Sequence, residues 1–386
     1  QHGLSSNTVN AIIKDSYGYM WFGTDDGLNR FDGVNFKIFR YAAGDSTSIG
    51  SNTITAICED KNGNLWIGTT QTLSFFDRKK GSFLNYYFKG KSSVRSLLID
   101  HNGSLWVGTY TGLFLYDRQT APLNARSIDP VRVENITTKT ILSIFEDSRQ
   151  RLWIGTDIGL FQYHWKNKKF NLSRYGTDSL NPQKNTIRSI TEDNSGNMWI
   201  GTLSGIVKLT PESKLSQIYR SGEGKETLSS DRVYTIVPDK FKRVWIGTEE
   251  GLNLLDLPSN KIQRVLGQSD EDKVSLSPNR YIKSIFVDTS DILWFGTQLG
   301  GVNKLDPNLP FFNIKRNMEF DVVSNKYPAV SSFVEGREGE IYVGTDGGGL
   351  HVFNRTLETI ARVKFRIITD DEIRSITSME QAGNAI

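Results

Sequence analysis

The sequence predicts an all-β fold: a seven-bladed β-propeller of four-stranded antiparallel blades, followed by the first blade, and part of the next, of a second, truncated propeller. Three observations predict it. A Trp-(Phe/Ile/Val)-Gly-Thr tetrad opens at Trp21, Trp66, Trp106, Trp153, Trp199, Trp245 and Trp294, and Tyr342 opens an eighth copy. The openers are spaced 40 to 49 residues apart, a period of about 46, and a period of ~40–50 built from strand-like units marks a propeller or solenoid. Apolar runs are short, rich in β-branched residues and closed by turn residues, which argues against helices.

Each repeat has four segments. The first is Val9 to Asp15, with counterparts from Ile54, Val94, Ile141, Ile187, Val233 and Ile282. Its third residue is always small (Ala11, Ala56, Ser96, Ser143, Ser189, Thr235 and Ser284), so neighbouring strands can crowd toward an axis. A tight turn follows, such as Asp15-Ser16-Tyr17-Gly18, where Asp bonds its own downstream backbone and Gly takes positive φ. The tetrad is the second strand. Its Trp is expected to cover the core between adjacent sheets, and its Gly to let a neighbouring backbone approach. A short loop leads to Gly27-Leu28 and its counterparts, which open the third strand. A more variable fourth strand carries Phe36–Phe39, Phe83–Phe88 or Lys214–Tyr219. Four antiparallel strands per repeat, closed radially, make a propeller blade.

Unit seven departs from its predecessors at Gly300-Gly301, Pro307 and Pro310, and unit eight has Gly336 for the turn Asp. The expected division is residues 1–316 for the seven-bladed ring and 317–386 for the start of a second propeller. A strand of inner type begins again at Glu372, which a single eight-bladed ring, the alternative, would not need.

Composition narrows the function classes. The net charge of +3 is small for 386 residues, and no Lys/Arg run of nucleic-acid-binding type is present. The single cysteine, Cys58, forms no internal disulfide, and no apolar run approaches the ~20 residues of a membrane span. The chain opens on Gln1-His2-Gly3, close to the first repeat, so its start reads as trimmed.

Gly3-Leu4-Ser5-Ser6-Asn7-Thr8-Val9, then Asp15 to Thr24, then Gly27-Leu28-Asn29-Arg30-Phe31-Asp32-Gly33, resembles the opening of the two-component regulator propeller repeats. These form the extracytoplasmic sensor of hybrid histidine kinases from Bacteroides-type bacteria. The resemblance implies a periplasmic sensing segment whose parent carries a second propeller, a β-sandwich, a membrane helix and kinase domains, with a homodimer expected of the full-length protein. Membrane attachment would come only through those later parts. The resemblance also implies a short strand before Gly-Leu-Ser that can close the ring in relatives, and this chain is expected to start after it.

No catalytic residues, cofactor or metal site are expected. The Asp column reads as a hairpin turn residue, since catalysis needs one converging pair rather than seven symmetric copies. Asp60 to Asn64 lacks the acidic spacing of a calcium loop. His2, His101, His164 and His351 fall at different phases of the repeat and are expected to be solvated turn residues. Trp165, outside the tetrads, reads as a partly covered turn aromatic rather than a sugar platform.

A ligand is expected over the channel mouth, formed by the loops before the first strand and after the tetrad. The residues there vary around the ring, unlike the strand itself. Arg95, Arg188, Arg232, Tyr234, Arg280, Tyr281, Lys283 and Tyr110 are the candidate binding residues, and those of blades five to seven form a basic, aromatic arc. Tyr beside Arg suits a carbohydrate, above all an acidic one, through stacking and charge-assisted bonds. The expected function is therefore sensing of a glycan-derived oligosaccharide. A propeller-fold lyase or glycosidase, or a protein-interaction propeller without a small ligand, are the alternatives.

Overall fold

The computed structural model describes residues 3–88, 92–116, 131–132, 140–167, 169–173, 185–224, 226–266, 281–305, 329–336, 340–346, 349–353 and 359–363. The chain divides into two compact units, Gln1–Asn308 and Leu309–Ile386. The first unit holds seven sheets of antiparallel strands taken in chain order. In the first blade these are β1 (Val9–Lys14), β2 (Met20–Thr24), β3 (Gly27–Phe31) and β4 (Phe36–Phe39). The third blade ends on a two-residue strand, Val131–Arg132, and the seventh shows three described strands, from Ile282 to Leu305.

Each tetrad residue has one physical task, repeated around the ring. The Trp fills the seam to the next blade: Trp21 clusters with Ile54 and Leu65, Trp153 with Ile187 and Met198, and Trp245 with Ile282 and Leu293. Six of these rings are at most 3% exposed, while Trp294 is partly buried. The Gly leaves room for the next blade's first residue. A Cβ on Gly23 would come within 2.6 Å of Ile54, and one on Gly201 within 2.9 Å of Val233. The space is thus taken by a neighbouring side chain, where a neighbouring backbone was expected. The Thr hydroxyl closes the turn, as Thr24 Oγ1 donates to Gly27 O at 2.8 Å and Thr248 Oγ1 to Gly251 O at 3.0 Å.

The Asp that ends the first strand is a turn residue, and it also fixes the Trp. Asp193 Oδ1 accepts the backbone N–H of Ser195 and Asn197, while its Oδ2 accepts the indole N–H of Trp199 at 2.8 Å. The same indole bond recurs from Trp21, Trp106, Trp153, Trp245 and Trp294. Asp60 makes the turn bonds, and its Oδ2 accepts from Asn64 Nδ2 at 3.4 Å instead of from an indole. The turn demands a left-handed residue in each blade. Glycine supplies it at Gly18, Gly63, Gly103 and Gly196, but Gln150, Lys242 and Asp291 adopt it with φ of 59°, 59° and 62°.

The ring closes from blade seven directly onto blade one. A Cβ on Gly296 would meet Val9 at 2.7 Å, the relation that every other tetrad Gly has to its successor. Ser284 Oγ donates to Val9 O at 3.2 Å, Gly301 N to Asn7 O at 2.8 Å, and Thr8 Oγ1 to Gln298 O. Trp294 packs on Phe22 and Phe31. These contacts leave no place for an eighth blade between them, so the ring is seven-bladed. Among the described residues the second unit shows one four-stranded sheet with the same order: Ala329–Glu335, Ile341–Asp346, Gly349–Phe353 and Thr359–Val363. Gly336 keeps the turn, its N–H donating to Glu340 O at 2.7 Å. The expected boundary at residue 316 and the strand expected from Glu372 lie outside the described residues.

Candidate functional site

A β-bulge interrupts the pairing of the first two strands in every blade of the ring, between Val9 and Ala11 in the first and between Ile282 and Ser284 in the seventh. The extra residue drops out of the ladder, and bulges of this kind re-aim a side chain. The bulged residues are Asn10, Thr55, Arg95, Leu142, Arg188, Tyr234 and Lys283. Seven equivalent backbone positions therefore carry a set of non-equivalent side chains at the inner strands.

The loop after each tetrad lies beside the lead-in to the same blade. Asp25 N donates to Thr8 O, Tyr110 N to Ser93 O, Asp157 N to Thr140 O, Glu249 N to Arg232 O and Gln298 N to Tyr281 O, at 3.1–3.3 Å. A second tier of side chains thus accompanies the bulged tier: Asp25, Thr70, Tyr110, Asp157, Leu203, Glu249 and Gln298.

The candidate residues fall into three groups. Arg188 lies over the Tyr234 ring at 4.6 Å, and the Tyr234 and Tyr281 rings stand 4.3 Å apart. Burial, with the Tyr234 hydroxyl bonded to it, pushes the Tyr281 phenol up. Arg95 lies over Tyr110, which is half exposed, at 5.3 Å. Lys283 Nζ donates to Asn10 Oδ1 at 3.0 Å, and Asn10 Nδ2 donates to Asp25 Oδ1 at 2.8 Å. Burial draws Lys283 below the ordinary lysine value; Asp25 opposes this and the Arg95 charge adds to it. Arg95 therefore acts on Lys283 although blades three and seven are not neighbours.

Arg232 stands apart. Its guanidinium is exposed and pairs with Glu249 at 3.2 Å, so it adds little uncompensated charge. Arg280 lies outside the described residues. Asn10, Asp25 and Asp157 belong to the segments expected at the channel mouth but not to the candidate binding residues. The signal that finds them is the comparison of one blade with the next at the bulged position and at the position after the tetrad.

One expectation away from the channel changes. His101 is not simply solvated: its backbone N–H and its ring both bond Glu146 of the next blade, and its ring meets Trp165 edge-on. The Trp165 indole N–H donates to Gln150 O at 2.7 Å, and the ring packs on Tyr163 and Trp106, as a covered turn aromatic should. Among the described residues no group of three His, Cys, Asp or Glu converges as a metal site would.

Fold and channel together define a closed seven-bladed propeller whose blades repeat one Asp-turn-Trp-Xaa-Gly-Thr unit and whose variation is collected at the bulges. That unit is the two-component regulator propeller repeat, whose family model matches residues 3–26, 48–71, 89–111, 135–157, 181–204 and 227–250. The chain is similar to the extracellular domain of a hybrid two-component system, BT3049 from B. thetaiotaomicron, with 25% identity and a TM-score of 0.67. The match covers 93% of this chain and 47% of that one, so this chain spans about half the length of that domain. A stretch of 47 residues is 55% identical to Histidine kinase P4 of Formosa agariphila, covering 12% of this chain and 3% of that protein. The propeller of virginiamycin B lyase from Staphylococcus aureus shares the fold, at 12% identity and a TM-score of 0.59 over 78% of this chain.

Proposed function

We propose that this chain is the extracytoplasmic sensing segment of a hybrid two-component system, and that its ring reads an acidic, glycan-derived oligosaccharide at the channel mouth. The carrying observation is the ring of bulged residues. Arg95, Arg188 and Lys283 bring three cations to one tier of the channel, beside Tyr110, Tyr234 and Tyr281. A carboxylate there gains charge-assisted bonds, and a sugar ring gains aromatic faces. Burial holds the half-buried Lys283 below its ordinary pKa, and the charge of an incoming anion opposes that shift, as Asp25 does. The likeness to an extracellular domain of a hybrid two-component system supports the sensing role and a periplasmic location. Signalling would then pass through membrane and kinase parts of a longer protein.

Calorimetric titration of the chain against acidic and neutral oligosaccharides tests this reading. Acidic sugars should bind, and Arg188→Ala and Lys283→Ala should each weaken binding with folding intact. Arg232→Ala should weaken it less, because Glu249 already compensates that charge. Binding of neutral sugars only, or turnover of the sugar, would replace it with another reading.

A further inference from the structure

Blade four breaks the pattern that blade one sets. In blade one the residue after the tetrad, Asp25, accepts a hydrogen bond from the bulged Asn10 at 2.8 Å. Blade four has an aspartate at the same place, Asp157, but its bulged residue is Leu142, which has nothing to donate. Asp157 Oδ1 is accordingly shut off from solvent with no hydrogen-bond partner. On the two flanking blades, the bulged arginines show the complementary defect. Arg95 Nε and Arg188 Nε are each buried without an acceptor. Their guanidinium planes are held over Tyr110 and Tyr234, so the orphaned N–H groups belong to side chains already braced by an aromatic ring.

Buried polar groups in native proteins are almost always paired, and each exception calls for a cause. At the bulged and post-tetrad positions of three consecutive blades, two donors and one acceptor are thus left over. A ligand that satisfies all three must offer acceptors to the arginines and a donor to the aspartate. An anion with oxygen acceptors alone, such as sulfate, meets the arginines and brings its charge against Asp157. A neutral polyol satisfies Asp157 but leaves the guanidinium groups without a charged partner. A carboxylate that carries hydroxyl groups meets both demands.

We propose that blades three to five form a uronate subsite, in which Arg95 and Arg188 take the carboxylate through their Nε–H groups and Asp157 accepts a ring hydroxyl. This rests on the channel-mouth reading above and narrows it: Asp157 is the specificity residue, separating hydroxylated acids from simple anions. It also shifts the centre of recognition from the arc of blades five to seven toward blade four.

The test is calorimetric titration of the chain with trigalacturonate and with its O-methylated derivative, which keeps the carboxylates and lacks the hydroxyl donors. The parent should favour the hydroxylated trimer about tenfold or more, the scale of a hydrogen bond to a charged group. Asp157→Asn should narrow the preference for trigalacturonate over the methylated trimer by a similar factor, because the hydroxyl loses its charged acceptor while both trimers lose the repulsion of the carboxylate. Leu142→Asn is an independent variant that gives Asp157 the partner Asp25 already has. It should also weaken trigalacturonate selectively. Equal affinity of the parent for both trimers, or an equal loss for both in the two variants, overturns the subsite while sparing the channel-mouth reading. No binding of any acidic sugar overturns both.

Discussion

Lys283 Nζ lies 3.0 Å from Asn10 Oδ1, so a lysine of the last blade donates to an asparagine of the first. The same amide donates from Nδ2 to Asp25 Oδ1 at 2.8 Å and to Ile54 O of the second blade at 2.9 Å. One small side chain thus ties three blades at the place where the ring has no covalent continuity.

Lys283 makes the ring sensitive to alkaline pH. Burial holds its folded pKa below the ordinary 10.5, so at intermediate pH the unfolded chain binds the proton that the folded one has lost. The cost of burying the charge is present in full at low pH and is relieved as pH rises through the folded pKa toward 10.5. Stability should therefore gain a small increment in that window, and Lys283→Met should abolish the increment. Affinity for an acidic sugar should fall over the same window, because the ammonium is lost. Denaturant titrations and calorimetry at stepped pH check both signs.

Trp153→Ala should destabilise the ring by about 3–5 kcal/mol, the cost of a large aromatic lost from a core. The ring is 2% exposed and sits among Ile187, Met198 and Ile200 of the next blade. Trp153→Phe should cost less, because Asp147 Oδ2 loses the indole N–H but keeps Arg151 Nε at 2.6 Å. Urea midpoints of the two variants separate packing from hydrogen bonding. An unchanged midpoint for the alanine variant would mean that the tetrad Trp is no core residue.

Gly23→Ala should destabilise by roughly 1–3 kcal/mol through overpacking, since its Cβ would lie 2.6 Å from Ile54 Cγ2. Gly222 provides the contrast: a Cβ there meets nothing nearer than 3.4 Å and no left-handed φ is required. Gly222→Ala should melt with the parent. A similar loss in both would deny that seam packing is the cause.

Lys242→Gly should stabilise the protein by about 1 kcal/mol. Lysine occupies the left-handed turn position with φ of 59°, and left-handed backbone costs a non-glycine residue about 1–2 kcal/mol. The added chain entropy of glycine offsets part of that gain. A lower melting temperature for this variant would show that the lysine side chain itself holds the turn.

The repeat unit was legible in the sequence because its demands are local. Trp, Gly and Thr in fixed order carry strand, seam and turn within a few residues, and the strands at Phe36–Phe39 and Val9–Lys14 fall where the pattern puts them. Closure was less legible, because Val9 and Gly296 look like their six counterparts and nothing local says that they meet. The bond from Trp199 to Asp193 is written only as a constant separation in the chain. The channel tier was half legible: Arg95, Arg188, Tyr234 and Lys283 stood out by varying where neighbours do not. The bulge that turns them out of the ladder is a backbone event with no residue signature. Asp157 was legible as a residue of a post-tetrad loop, but its lack of a partner was not, because an unpaired aspartate looks the same in a sequence as a paired one.

The bulges carry a consequence for how such rings diversify. A bulged residue stands outside the ladder, so its exchange leaves the register intact, although Asn10 and Thr55 also bond the backbone of the next blade. The seams join only neighbouring blades, so exchanges at separate blades leave one another's packing unchanged. The channel behaves as a seven-letter word written on a fixed page, here Asn, Thr, Arg, Leu, Arg, Tyr, Lys. Rewriting one letter in a gene alters what is read without renegotiating the fold. A library randomised at the codons other than those of Asn10 and Thr55, whose side chains bond the next blade, would search binding specificities on a scaffold that stays the same.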